Sequence, residues 1–234
     1  MSCGAVLAPS SAFARRGTLV RVWSLEAVPC VTALGRLEER YTAGVQRTEN
    51  RHPVIDAGYF AKRIMPKPGD MSATGVREIC SVSECISSGP PDWIERWLHN
   101  EFGWFNHIRD ALSVIPTGHE AEYRLFAYRL HPEVFRHDVR VPLTLPEDVR
   151  PDRILATFHT LGFDSASKSI ESGLGLECSP LSCNSMAAEI GTNEFCLFPT
   201  LGEAVAGAEQ FAREQPEPGD YYVVEVLESK PDAV

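Results

Sequence analysis

The sequence has no run of roughly eighteen consecutive apolar residues, the length a helix needs to cross a bilayer, so no membrane span is predicted. Positive charge is in deficit: 22 Lys and Arg stand against 32 Asp and Glu, a formal net charge of −10. General affinity for nucleic acid or an anionic membrane surface requires concentrated Lys and Arg to displace counterions, and this balance argues against both. The seven cysteines are an odd number in a chain too large to need staples, which points to reduced thiols rather than a complete disulfide framework. Arg15 and Arg16 follow the small and apolar residues of Met1 to Phe13, whereas a secretory leader carries its basic residues first. These absences make a cytoplasmic protein the expectation. Also missing are a glycine-rich nucleotide loop, a His-Glu-x-x-His helix and a nucleophile elbow, so no familiar motif announces a reaction.

What is present is an ordinary globular composition, 44% hydrophobic and 23% charged, enough apolar surface to build a substantial core. The charge is unevenly spread. Residues 1–63 hold nine Lys/Arg against five Asp/Glu, while residues 151–234 hold four against fourteen. The acidic C-terminal part therefore suits a basic surface, either the N-terminal part of the same chain or a basic partner.

The most informative feature is internal repetition. Asn100-Glu101-Phe102-Gly103-Trp104-Phe105, continuing to Leu112, is written again as Asn193-Glu194-Phe195-Cys196-Leu197-Phe198, continuing to Val205. Without a gap, Asn, Glu, both Phe and Ala111/Ala204 coincide. A cysteine pair of identical spacing stands upstream of each copy, Cys80/Cys85 and Cys178/Cys183, and Gly58-Tyr59 has its counterpart in Gly162-Phe163. The pattern predicts an α+β (or α/β) fold, in which two pseudo-repeated strand–loop–helix–strand–helix–strand units form one compact body.

Along the chain, residues 1–17 read as a loose tail. Residues 18–135 form the first half, with a strand at Thr18 to Leu25 and a helix from Val31 to Gly44 ahead of the first unit. Four prolines between His131 and Asp152 mark residues 136–153 as a connection. The second unit spans 154–228, and 229–234 is a tail. Strands are predicted at Val54 to Ile64, Tyr123 to Leu130, Ile154 to Phe163 and Tyr221 to Leu227, and at each Asn-Glu-Phe segment. Thr200 and Glu203 have capping-box spacing, and Leu201, Ala204, Val205, Ala208, Phe211 and Ala212 make an apolar stripe, so a helix starts there.

Three kinds of chemistry are open to these residues. Cys80, Cys85, Cys178 and Cys183 can supply four thiolates to a tetrahedral zinc ion, so zinc is the cofactor the sequence permits, although no motif calls for one. Ser81, Ser83, Ser179 and Ser182 precede predicted helix starts, where hydroxyls and main-chain N–H groups favour an anion. With Asn100, Asn193, Trp97 and Trp104 they are the candidate ligand-binding residues. Cys85, His99 and His107 are the candidate catalytic residues, as a thiol–imidazole pair. Glu101 and Glu194 are read as locally pairing, and the aromatics Trp93 to Phe105 as core unless Trp97 and Trp104 prove exposed.

The reading that fits best is a soluble intracellular binding protein, regulatory or toxin-neutralising. Its two similar halves enclose a groove along the serine/cysteine loops, which takes a basic protein partner or a small anionic ligand. Its rivals are an enzyme acting on a small anionic or nucleotide substrate through the Cys/His residues, and a structural zinc protein with a four-cysteine site.

Overall fold

The computed structural model describes residues 54–67, 69, 73–83, 89–168, 175–176 and 178–229, and every structural statement below concerns these residues. The expected tail at 1–17, the strand at Thr18 to Leu25, the helix from Val31 to Gly44 and the candidate Cys85 lie outside them. The strands are β1 (Ile55–Lys62), β2 (Met65–Pro66), β3 (Glu78–Ile79), β4 (Arg124–Arg136), β5 (Val139–Pro142), β6 (Phe158–Lys168) and β7 (Asp220–Ser229). The helices are α1 (Ile108–Ser113), α2 (Pro180–Cys183), α3 (Ala187–Ile190) and α4 (Leu201–Glu214). One antiparallel sheet runs in the order β1-β4-β7-β6, with β5 on the far end of β4, while β2 and β3 pair separately. Helices packed on an antiparallel sheet make the fold α+β rather than α/β.

Strands β4 and β7 occupy the middle of the sheet, and their sequences suit burial on both faces. Leu125 and Ala127 are buried on one side and Phe126, Tyr128 and Leu130 on the other, in a run of aromatic and branched residues. Helix α4 covers part of one face. Its capping box forms as expected: Thr200 Oγ1 accepts from the Glu203 N–H at 3.2 Å and Glu203 Oε2 accepts from the Thr200 N–H at 3.1 Å. The predicted stripe is the buried side, with Ala204, Ala208, Phe211 and Ala212 inaccessible against β6 and β7. Helix α1 is much shorter. His107 at its N-cap provides no side-chain bond, and Pro116 follows close behind its last turn.

The two Asn-Glu-Phe segments are turns, not the strands predicted from their aromatic content. Each Asn side chain takes over the hydrogen bonds a neighbouring strand would have made. Asn100 Oδ1 accepts from the Phe102 and Trp104 N–H groups at 3.0 and 3.2 Å, and its Nδ2 donates to Ala57 O at 2.9 Å. Asn193 Oδ1 accepts from Phe195 and Leu197 at 3.0 and 3.2 Å, and its Nδ2 donates to Leu161 O at 2.7 Å. Beyond each turn a phenylalanine exchanges two main-chain bonds with a strand, Phe105 with Tyr59 and Phe198 with Phe163. The strands bulge at the same place, at Gly58 and Gly162, where φ is +152° and +154°. A Cβ there would lie 2.7 Å from Trp104 Cβ in one case and 2.8 Å from Asn193 Nδ2 in the other, so only glycine fits beneath the turn. The pairing of β4 with β7 has a matching regularity. The paired residues Tyr128 and Val226 stand 98 positions apart (226 − 128), the same separation as Cys80 from Cys178 (178 − 80), so corresponding positions of the two segments face each other.

Asn100→Ala strands two N–H donors and one carbonyl in the interior, an expected loss of about 3 kcal/mol in the unfolding free energy. Asn193→Ala, at a partly exposed turn, costs roughly half as much. Urea unfolding checks both, and a loss under about 1 kcal/mol for Asn100→Ala would show that the amide does not hold the turn.

Candidate functional site

The two cysteine loops are drawn together at the β6 side of the sheet by crossed bonds to the Asn-Glu-Phe turns. The first loop bonds to the second turn: the Arg77 and Cys80 N–H groups donate to Glu194 O and Phe195 O at 2.8 and 3.0 Å. The chain ahead of the second loop bonds to the first turn, with Gly175 N–H donating to Glu101 O at 3.3 Å. The two glutamate side chains do not pair locally as expected: Glu194 pairs with Arg77 and Glu101 with Lys168, residues far away in sequence that the crossing brings alongside.

At the crossing lies Asp164, on β6 and wholly inaccessible. Its Oδ2 accepts from Ser81 Oγ at 2.7 Å and the Val82 N–H at 2.9 Å, and its Oδ1 from Ser179 Oγ at 2.6 Å and the Ser165 N–H at 2.8 Å. Sequence reasoning expected hydroxyls from both loops to converge on an anion, and here they converge on a carboxylate of the chain itself. Ser83 donates its N–H to Ser81 Oγ at 3.1 Å, and Ser182 Oγ donates to Ser179 O at 3.1 Å. Ser81, Ser83 and Ser179 are fully buried and Ser182 nearly so. Nothing in Gly162-Phe163-Asp164-Ser165 marks Asp164 in the sequence, because one acid in a strand reads as a solvent-facing position.

Lys62, the last residue of β1, is the second charge enclosed here. Its Nζ donates to Ser81 O and sits 4.9 Å from the centre of the Phe126 ring. Burial pushes the ammonium down to about 8, opposed by the nearby Cys80 and Asp164. Burial pushes the Cys80 thiol up to about 11 and that of Cys196 up to about 12, so neither is a ready nucleophile or ligand near neutral pH.

The remaining candidates are dispersed. Trp104 and Asn100 are interior residues, whereas Trp97 is 80% exposed. Each ring nitrogen of His99 faces a main-chain carbonyl, those of Asn100 and Ile94, at 3.2 and 3.3 Å. His107 Nδ1 lies 3.0 Å from Asp152 Oδ2 at the surface. Of the described zinc candidates Cys80, Cys178 and Cys183, the last two come together, and the third potential ligand beside them is Glu217. The three ligand atoms lie within 4.8 Å of one another. Glu217 follows α4 in a turn far along the sequence, so no spacing rule could have picked it out. An open concavity of about 670 Å³ lies elsewhere, lined by Asp56, Arg129, Arg153, Ile154, Leu155 and Phe158 among others. Arg129 bonds Asp56 at 2.8 Å in its floor.

No protein-family model matches the chain, and no curated protein or solved structure matches it significantly.

Lys62 has a characteristic pH signature. Its folded value is depressed below the ordinary 10.5, so its contribution to stability is complete above that pH and is lost as pH falls through about 8. Relative to Lys62→Met, the wild type should gain roughly 3 kcal/mol on going from below 8 to above 10.5. Urea titrations of both proteins across this range read the difference. A flat difference would place Lys62 in contact with water.

Proposed function

We propose that the protein is a binding protein of the regulatory or toxin-neutralising kind, built from two similar halves, and that it takes a basic protein partner on the exposed segment around Trp97. The observation that carries this reading is the indole itself. Trp97 is 80% exposed and is flanked by Ile94 and Leu98 at 43% each, while Trp93 and Trp104 are packed inside. It ends a 3₁₀ turn at φ 54°, ψ 29°, a left-handed conformation that is unfavourable for a bulky side chain. An aromatic residue held in water by a strained backbone is in position to anchor an interface. The segment carries two exposed acids, Asp92 and Glu95, against one exposed base, Arg96, and this excess with the overall charge of −10 favours a basic partner. The idea of two similar halves draws its support from the matching bonds at Asn100 and Asn193, the glycine bulges beneath them and the pairing of β4 with β7 about the corresponding residues Tyr128 and Val226.

A second reading has its own observation. Arg153 is exposed at the rim of the 670 Å³ concavity with no ion-pair partner among the described residues, and Leu155 beside it is 55% exposed. A small anionic ligand with an apolar part suits that lining.

The full chain and Trp97→Glu, checked for equal unfolding midpoints, are used to capture partners and then to titrate the captured protein in pure form. The expected partner is basic, binds more weakly as salt is raised, and loses about thirtyfold in affinity to Trp97→Glu, the effect of removing an interface anchor. Arg153→Glu leaves that affinity unchanged. Equal binding by Trp97→Glu would overturn the assignment of this segment.

A further inference from the structure

We propose that Cys178, Cys183 and Glu217 supply three ligands to a zinc-class divalent ion. The ligand set is one carboxylate and two thiols, all half-buried, so an ion can reach them from solvent. Paired thiolates select a borderline-soft ion over magnesium or calcium, and thiolate with carboxylate is a donor set that zinc accepts.

The surroundings hold each ligand in place. Cys178 is fixed to β6 by the bond from Ser167 N–H to its carbonyl at 2.7 Å. Cys183 closes α2, its N–H bonded to Ser179 O at 2.8 Å, and its Sγ lies 3.6 Å from Ser83 Oγ of the other cysteine loop. Asn184, the next residue, donates Nδ2 to Glu217 Oε1 at 2.7 Å. Tyr221 clamps the main chain of Glu217, its hydroxyl accepting from the N–H at 3.0 Å and donating to the carbonyl at 2.9 Å. Partners that orient a ligand in this way tune metal sites. A separate sign of an incomplete polar environment comes from Ser167, which is bridged to Cys178 and pairs with Tyr221 across the sheet. Its buried hydroxyl has no hydrogen-bond partner among the described residues.

On uptake, the two thiols lose their protons to solvent. Two metal–sulfur bonds and one metal–oxygen bond form, and the ion sheds the water they replace. Neither oxidation nor reduction is involved. The site differs from the four-cysteine set expected from spacing, since the group in the structure has Glu217 and not Cys80.

The test is titration of the full chain, reduced and stripped of metal, with Co²⁺ as the probe and Zn²⁺ as the competitor. One Co²⁺ per chain is expected, with a near-ultraviolet thiolate-to-cobalt charge-transfer band that Zn²⁺ abolishes. Cys183→Ser should lose that band. Asn184→Ala, which keeps all three ligands but frees the Glu217 carboxylate, should bind Co²⁺ about tenfold more weakly, and Glu217→Gln more weakly still. Metal-free unfolding midpoints of all variants are compared first, and a variant below the wild type in midpoint is set aside in favour of the other two. No charge-transfer band at stoichiometric Co²⁺, a band that survives Cys183→Ser, or affinity unaltered in both Asn184→Ala and Glu217→Gln would overturn the site.

Discussion

The buried carboxylate of Asp164 is the constraint on which the arrangement of both loops depends. An ionised acid removed from water is tolerated only when its lone pairs are met by donors, and four donors from three separate segments meet this one. Two come from the first cysteine loop, one from the second, and one from the strand on which Asp164 stands. Any displacement of either loop leaves the charge under-solvated inside the protein. The carboxylate therefore fixes the loops more strictly than apolar packing alone, which tolerates small shifts. Lys62 adds a countercharge at one remove, through the Ser81 carbonyl and not by direct contact. That separation leaves its own desolvation only partly offset, and its depressed value follows.

The second constraint is the pair of asparagine turns. In each, a single amide satisfies two main-chain N–H groups of its own turn and one carbonyl of a bulged strand, replacing the ladder that the strand edge lacks. Glycine beneath the turn lets the two backbones approach, and the phenylalanine beyond it returns to the strand. The loops then cross: Arg77 and Cys80 donate to the main chain of the Asn193 turn, and Gly175 to that of the Asn100 turn. This geometry explains why the residues shared by the two copies are Asn, Glu and Phe. The amide shapes the turn, Glu presents its carbonyl to the crossing loop, and Phe buries the return. None of these roles is catalytic.

What chemistry remains is at the margins of this frame. The serines that look like ligand donors are occupied inside, and the buried thiols of Cys80 and Cys196 are held neutral by their surroundings. The accessible features are the Trp97 segment, the concavity beside Arg153, and the half-buried group of Cys178, Cys183 and Glu217. Each lies where the frame stops and side chains are released from packing duties.

Much of the fold was legible because it rests on local patterns. The capping box and apolar stripe placed α4, and branched and aromatic runs placed β1, β4 and β7; the strand expected at Ile154 to Phe163 begins instead at Phe158 and continues to Lys168, because its later, serine-containing part is held by pairing with β7. Aromatic content misled at the turns, since a strand and an amide-held turn bury phenylalanine equally well and differ only in where hydrogen bonds go. Residues 139–142, assigned to a proline-rich connection, pair with β4 instead, because Pro142 ends an edge strand where its missing N–H costs nothing. The sequence by itself determined the elements and the likeness of the two segments, which are properties of neighbours along the chain. Only the tertiary structure decided that Asp164 is the anion the serines hold, that Trp97 is left outside while Trp104 is enclosed, and that Glu217 joins the second cysteine pair. The reason is physical: burial and convergence depend on which distant segments the sheet brings together, and spacing along the chain carries no record of that.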